Sequence, residues 1–144
     1  MAKILIVDDE PRIRELIREH LQYAGYVCEE AGDGSAALSL LSGGGFDLVI
    51  LDVTLPDGSG FDICRNIRKT SKVPIMFLTA MDEETDIIMG LDIGGDDYIT
   101  KPFKLAIFMS RINALLRRSD NFNQADTELN SNGIRVELLK GEVY

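Results

Sequence analysis

Five short apolar runs alternate with amphipathic stretches along the chain, the pattern of repeated βα units around a parallel sheet. It predicts strands over Lys3 to Val7, Val27 to Glu30, Leu48 to Leu51, Ile75 to Leu78 and Tyr98 to Thr100. The first, third and fourth of these (KILIV, LVIL, IMFL) are apolar on both faces, as expected of central strands covered by helices on two sides. Pro11 opens a helix in its first turn, where a missing N–H costs nothing. Ile13, Leu16, Ile17, His20, Leu21 and Ala24 follow at helical spacing, and Gly25 ends the helix as a left-handed cap. Further helices are predicted from Ser35 to Leu41, Gly60 to Arg68, Glu83 to Ile93 and Lys104 to Arg118. The fold class is therefore α/β, a five-stranded parallel sheet with helices on both faces.

After Arg118 the pattern breaks. SDNFNQADTELNSN is polar and short of apolar anchors, and predicts a linker. Leu129, Ile134, Val136 and Leu138 then bring back a strand-like alternation around an Asn132-Gly133 turn signal. The organisation expected is a domain over 1–118, a linker over 119–128 and the start of another unit over 129–144, since 144 residues hold one typical domain and a short extension.

Composition narrows the function classes. A hydrophobic fraction of 45% beside 27% charged residues is a globular balance, and no apolar run approaches the roughly 20 residues of a membrane span. Met1 to Val7 run into an apolar strand without a basic flank or cleavage site, so a cytoplasmic protein is expected, with no membrane partner. A net charge of −9 argues against this stretch gripping nucleic acid by itself. Cys28 and Cys64 stand in neither disulfide-motif nor metal spacing and are expected as buried, reduced thiols. His20 has no partner at ligand spacing. The glycines at 43–45 form a loop, and no G-x-G-x-x-G follows the first strand, so dinucleotide binding is not expected.

In parallel α/β sheets ligands bind at the carboxyl ends of the strands. Asp8 and Asp9 follow the first strand, Asp52 the third, Thr79 the fourth and Lys101 the fifth. Each alone has an ordinary reading: an aspartate after a strand is a turn or cap residue, Thr79 a helix cap, Lys101 a surface lysine. Together, in this order, they make one polar rim. Three carboxylates there repel one another unless a cation sits among them, and oxygen ligands without His or Cys fit magnesium. A lysine and a hydroxyl add donors for phosphoryl oxygens, so Asp52 is the candidate nucleophile for forming an acyl phosphate.

At these residues the chain resembles the receiver domains of two-component response regulators. The segments that carry the likeness are ILIVDDEPRIRELI, DLVILDVTLPDGSGFDICRNIR, VPIMFLTA and GGDDYITKPF, within about residues 1–118. The resemblance implies a flavodoxin-like strand order 2-1-3-4-5 and phosphorylation of Asp52 by a sensor histidine kinase. It implies magnesium held directly by Asp9, Asp52 and the backbone carbonyl of Thr54, with Asp8 acting partly through water. Thr79 and Lys101 would bind the phosphoryl group, and Tyr98 would be a switch aromatic that turns inward when Thr79 moves toward it. From the residue alone, Tyr98 reads equally well as a half-buried strand aromatic. The family often carries methionine or another larger side chain where this chain has Thr54, which leaves the phosphoryl lifetime open. Such a domain is not an enzyme beyond its own phosphorylation and autodephosphorylation.

RINALLRR together with DDYITKPF is similar to the subfamily whose output is a winged-helix DNA-binding domain, and ELNSNGIRVELLKGEVY resembles the opening strands of that effector. The expectation is a transcription factor truncated in its effector, with DNA contact only through the missing part. The subfamily implies an activated two-fold homodimer through the fourth helix, fifth strand and fifth helix. Asp97 with Arg111 and Asp96 with Arg118 match its ion pairs, and Ile88, Leu91 and Met109 its apolar patch. Ile87 and Ile107 stand where a Lys and a Glu usually pair across the dimer, which predicts an apolar cross-dimer contact instead. Two rivals remain. A stand-alone receiver acting as a phosphate shuttle is disfavoured by the effector-like tail. An aspartyl-phosphate phosphatase would carry its nucleophile after the first strand in a D-x-D arrangement.

Overall fold

The alternation of apolar side chains along each strand decides which helix covers which side of the sheet. In the computed structural model, which describes residues 2–132, β1 (Lys3–Val7), β2 (Val27–Ala31), β3 (Leu48–Leu51), β4 (Ile75–Thr79) and β5 (Asp97–Thr100) form one parallel sheet in the order β2-β1-β3-β4-β5. This is the flavodoxin-like order. The intervening helices are α1 (Pro11–Tyr23), α2 (Gly34–Ser42), α3 (Gly60–Arg68), α4 (Glu84–Asp92) and α5 (Leu105–Asn132). Ile4, Ile6, Leu48, Ile50, Met76 and Leu78 point to one face, where Ile17 and Leu21 of α1 and Phe108, Ile112 and Leu116 of α5 bury them. Leu5, Val7, Val49, Leu51, Ile75 and Phe77 point to the other, against Ala37 of α2 and Phe61, Cys64 and Ile67 of α3. A period of two with both phases apolar is what a sheet covered on both faces requires.

Local signals set the helix ends. Pro11 stands at the start of α1, and Gly25 (φ +99°) ends it: its N–H reaches the Gln22 carbonyl and the Tyr26 N–H the Leu21 carbonyl, a Schellman closure. Asp33 caps α2 by accepting from the Ala36 N–H, and Ser59 caps α3 by accepting from the Phe61 N–H. Among the described residues no helix is long and apolar enough to cross a membrane.

Three differences from the sequence expectation stand out. The ladder carries β2 to Ala31 and β4 to Thr79 and starts β5 at Asp97, because Val7, Thr100 and Met76 offer them parallel partners. Thr79 therefore lies in the strand rather than after it. Cys64 is buried as expected, but Cys28 is only half-buried; both are free thiols. Finally, α5 does not stop at Arg118: it continues helical through 119–128 and Leu129 to Asn132, where the sequence predicted a linker and a strand start. Extending an existing helix avoids the cost of nucleation, and Gln124, Ala125, Glu128 and Leu129 are good helix formers. Residues 133–144, with Gly133 of the turn signal and Ile134, Val136 and Leu138, lie outside the described residues.

Candidate functional site

Because parallel strands all end on the same rim, the residues at their carboxyl ends meet there whatever their distance in sequence. Asp8 leaves β1, Asp52 leaves β3 and Lys101 leaves β5. The Lys101 ammonium lies 2.8 Å from Asp8 Oδ2 and 3.0 Å from Asp52 Oδ2, with Glu10 Oε1 at 3.9 Å. Asp8 and Asp52 are buried, whereas Asp9 is exposed, yet carboxylate oxygens of all three lie within 4.8 Å of one another. Backbone N–H groups hold the remaining oxygens: Glu10 donates to Asp8 Oδ1 at 2.9 Å and Thr54 to Asp52 Oδ1 at 3.1 Å.

The electrostatics follow from burial and charge. Burial pushes the Asp8 pKa above its ordinary value, the Lys101 bond opposes this, and the nearby Asp52 charge adds to it. Burial works against the Lys101 ammonium, but its bonds to Asp8 and Asp52 outweigh that and raise its pKa. One ammonium among three carboxylates leaves two negative charges uncompensated. That is the charge of a divalent cation, and an all-oxygen donor set suits a hard one such as magnesium. The residues present thus fit the metal expected from the sequence.

Thr79 is fully buried, and its hydroxyl accepts from the Met81 N–H at 3.3 Å. Tyr98 lies inward: its ring packs on Phe77 at 5.7 Å between centroids, and its hydroxyl donates to the Met81 carbonyl at 2.7 Å. Burial, with Asp86, Asp52 and Asp82 nearby, holds the phenol protonated by pushing its pKa up to about 12. Thr79 and Tyr98 therefore grip opposite sides of a single backbone residue.

The residues expected at a dimer surface are less uniform. Ile88 and Leu91 on α4 and Ile107 on α5 are exposed, as are Arg111 and Arg118. Ile87 and Met109 are half-buried, Ile87 against the Leu5 side of the core and Met109 against the Ile4 side. Asp97 already pairs with Arg111 of its own chain at 3.0 Å. Asp96 pairs with Arg68 at 3.0 Å and accepts the Ile75 N–H at 2.9 Å. An intermolecular partner for either aspartate would share these contacts.

Sequence reasoning missed three residues that shape the rim. Asp57, in the turn between the short antiparallel strands Thr54–Leu55 and Gly58–Ser59, accepts from Gly34 N–H at 2.8 Å and Ser35 N–H at 3.0 Å. These bonds hold its carboxyl below the ordinary aspartate value and tie the loop after Asp52 to the start of α2. Gly60 packs directly on the backbone of Asp52. Arg14 reaches back from α1 to the Asp8 carbonyl at 2.5 Å. A glycine at a helix start was the only sequence signal among them, since LPDGSG otherwise reads as ordinary turn chemistry.

The profile of the family described as response regulator receiver domain matches residues 4–113. A probable transcriptional regulator, ycf27, of Galdieria sulphuraria is 43% identical over 141 residues, covering 98% of this chain and 55% of the relative. This chain thus spans about half the length of that curated relative. Among solved structures, a two-component response regulator from Clostridium difficile superposes with a TM-score of 0.80 at 32% identity, over 82% of this chain and 98% of that one. The response regulator TrrA of Thermotoga maritima, solved in complex with Mg(2+)-BeF, has a TM-score of 0.73 at 37% identity, over 80% of this chain and 99% of that one.

Proposed function

Because this chain belongs to the family of response regulator receiver domains, we propose that it accepts a phosphoryl group on Asp52 from a sensor histidine kinase in a magnesium-dependent reaction. The observation that carries this reading is the buried Asp52 carboxylate with Lys101 at 3.0 Å and two further carboxylates within 4.8 Å. Nucleophile, cationic donor and cation ligands share one rim. An Asp52 oxygen attacks phosphorus, the P–N bond of the donor phosphohistidine breaks, and the imidazole leaves with the electron pair and takes a proton from solvent. Asp9, Asp52 and the Thr54 carbonyl would hold a magnesium ion, with Asp8 acting partly through water, and the ion would supply charge neutralisation at the phosphoryl oxygens. Lys101, which bridges Asp8 and Asp52, turns its ammonium to another of those oxygens, and the Thr79 hydroxyl donates to a third.

In this reading the response begins when Thr79 lets go of the Met81 N–H. Tyr98 is already inward, so phosphorylation shifts the population of an existing position rather than creating it. The output proposed is homodimerisation through α4, β5 and α5, bringing Ile88, Leu91 and Ile107 of two chains together, with Asp96, Asp97, Arg111 and Arg118 around them. Ile87, Met109 and Ile107 add apolar area. Transcription is then controlled, in the cytoplasm, through a winged-helix effector; the name of the Galdieria relative, a probable transcriptional regulator, supports a transcriptional output. The division into a receiver over 1–118, a linker over 119–128 and an effector start over 129–144 is part of the same proposal.

The test is incubation with acetyl phosphate and detection of the adduct by mass. Wild type should gain one phosphoryl group with magnesium and none with excess chelator, and Asp52→Asn should gain none. An adduct retained in Asp52→Asn sinks the assignment.

A further inference from the structure

We infer that Arg14 is a positioning residue for divalent-cation capture, because its guanidinium bridges the carbonyl of Asp8 to the carboxylate of Glu30 and thereby fixes the peptide that presents Asp9. The inference rests on the reading that Asp8, Asp9 and Asp52 hold the cation. Arg14 sits one turn into α1, and its Nη1 donates to the Asp8 carbonyl at 2.5 Å while its Nε donates to Glu30 Oε1 at 3.1 Å. Arg18 donates to the other oxygen of Glu30, so the carboxylate is clamped from both sides. The space is fitted to the guanidinium as well: a Cβ on Gly32, just past the end of β2, would lie 3.3 Å from Arg14 Nη1. These contacts connect the ends of β1 and β2 through one planar group.

The peptide Arg14 grips matters because the Asp8 carbonyl and the Asp9 N–H belong to the same plane. Asp8 itself is held twice, by its own N–H on the Ala31 carbonyl at 3.1 Å and by its side chain on the Glu10 N–H and Lys101. Asp9 is exposed, so the direction of its carboxylate depends on the peptide plane that precedes it. Fixing that plane pre-orients an oxygen that a cation would otherwise have to order on arrival. A guanidinium suits the task because its fork holds two acceptors in fixed geometry, which an ammonium on a flexible stem does not. Glu30 offsets one of the two guanidinium charges that meet on it, so the cation faces less positive charge than Arg14 and Arg18 alone would present.

The experiment measures Mn²⁺ binding by the electron spin resonance of the free ion, with Mg²⁺ in competition, on wild type, Asp9→Asn, Arg14→Ala, Arg14→Lys and Glu30→Ala. Circular dichroism and melting in chelator accompany each. Wild type should bind and Asp9→Asn should not. Arg14→Ala should bind about tenfold more weakly, with Arg14→Lys and Glu30→Ala between it and wild type. In acetyl phosphate kinetics the half-saturating magnesium of the Arg14 variants should rise by a similar factor, while the rate at saturating magnesium stays within about twofold of wild type. If wild type binds no cation, the site reading itself fails. If wild type and Asp9→Asn behave as expected but both folded Arg14 variants bind like wild type, the role given to Arg14 is wrong. A fall in maximal rate without a change in cation affinity overturns it too, and so does a weakening that tracks the unfolded fraction in chelator.

Discussion

Gly60→Ala tests how closely the start of α3 is fitted to the strand end that carries Asp52, the proposed phosphoacceptor. In a helix interior alanine ordinarily stabilises relative to glycine by about 0.5–1 kcal/mol. Here the sign should reverse. A Cβ at residue 60 would lie 2.1 Å from the Asp52 carbonyl oxygen and 2.9 Å from both the Asp52 carbonyl carbon and the Val53 Cα. All three are backbone atoms, and the Gly60 N–H is itself bonded to the Val53 carbonyl at 2.6 Å, so no flexible side chain can yield. Opening the first contact to 3.0 Å moves the backbone by about 0.9 Å. Overpacking of this kind costs about 1–3 kcal/mol, which exceeds the propensity gain, so a net loss of about 1–2 kcal/mol is expected. A shift of that size at the acceptor residue also misplaces the nucleophile, with a loss of about 100-fold in phosphorylation rate. Urea unfolding gives the first quantity, and the rate of acetyl phosphate labelling followed by mass gives the second. Gly58→Ala is the control: its φ of +150° adds strain, but nothing lies within 4 Å of its Cβ, so stability should fall without a comparable loss of rate. The reasoning is refuted if Gly60→Ala unfolds within about 0.5 kcal/mol of wild type and is labelled at the wild-type rate.

Lys101→Met removes the ammonium between two buried carboxylates, and breaking such a pair costs about 3–5 kcal/mol. Thermal unfolding in chelator should show the loss and saturating magnesium should recover much of it; equal melting of variant and wild type in chelator speaks against the charge balance described. Ile107→Glu should weaken the dimer proposed to form with beryllofluoride: with Ile107 49% exposed, covering the rest of its surface would contribute about half of the 1.5–3 kcal/mol of a fully buried isoleucine. Sedimentation over a salt series reads this, and Ile87→Lys, altering a residue half-buried against the core, should also lower monomer stability. Dimerisation of both variants as strong as wild type removes the apolar contact. The Cys28 thiol, pushed up to about 11 by burial and by Glu30, should react with iodoacetamide only slowly at pH 8 and faster toward pH 11; rapid labelling at pH 8 contradicts the burial.

The strands and the rim could be read from sequence because both depend on local pattern and topology. Continuous apolar runs mark β1, β3 and β4, and parallel strands bring Asp8, Asp52 and Lys101 together however far apart they lie in the chain. What stayed hidden acts through backbone. Arg14 matters for a carbonyl six residues away, and Asp57 for two N–H groups more than twenty residues earlier. Neither bond leaves a periodicity or spacing to detect. The helical continuation of α5 was missed because Ser119, Asp120 and Asn121 speak for a loop by local preference, while helix already formed upstream makes continuation inexpensive. Asp96 and Asp97 illustrate a different limit: sequence can nominate charged partners but cannot tell that Arg68 and Arg111 of the same chain are within 3.0 Å.

The double grip on Met81 has a consequence for tolerance to mutation. One hydroxyl holds its N–H and another its C=O, so under the proposed switch movement at Thr79 would pass to Tyr98 through a single residue's main chain without using any side chain at position 81. The proposed coupling thus needs only atoms that every residue except proline possesses. Position 81 can drift among side chains without cutting the relay, provided they fit beside the core, whereas Met81→Pro deletes the N–H and severs it while leaving both hydroxyls in place.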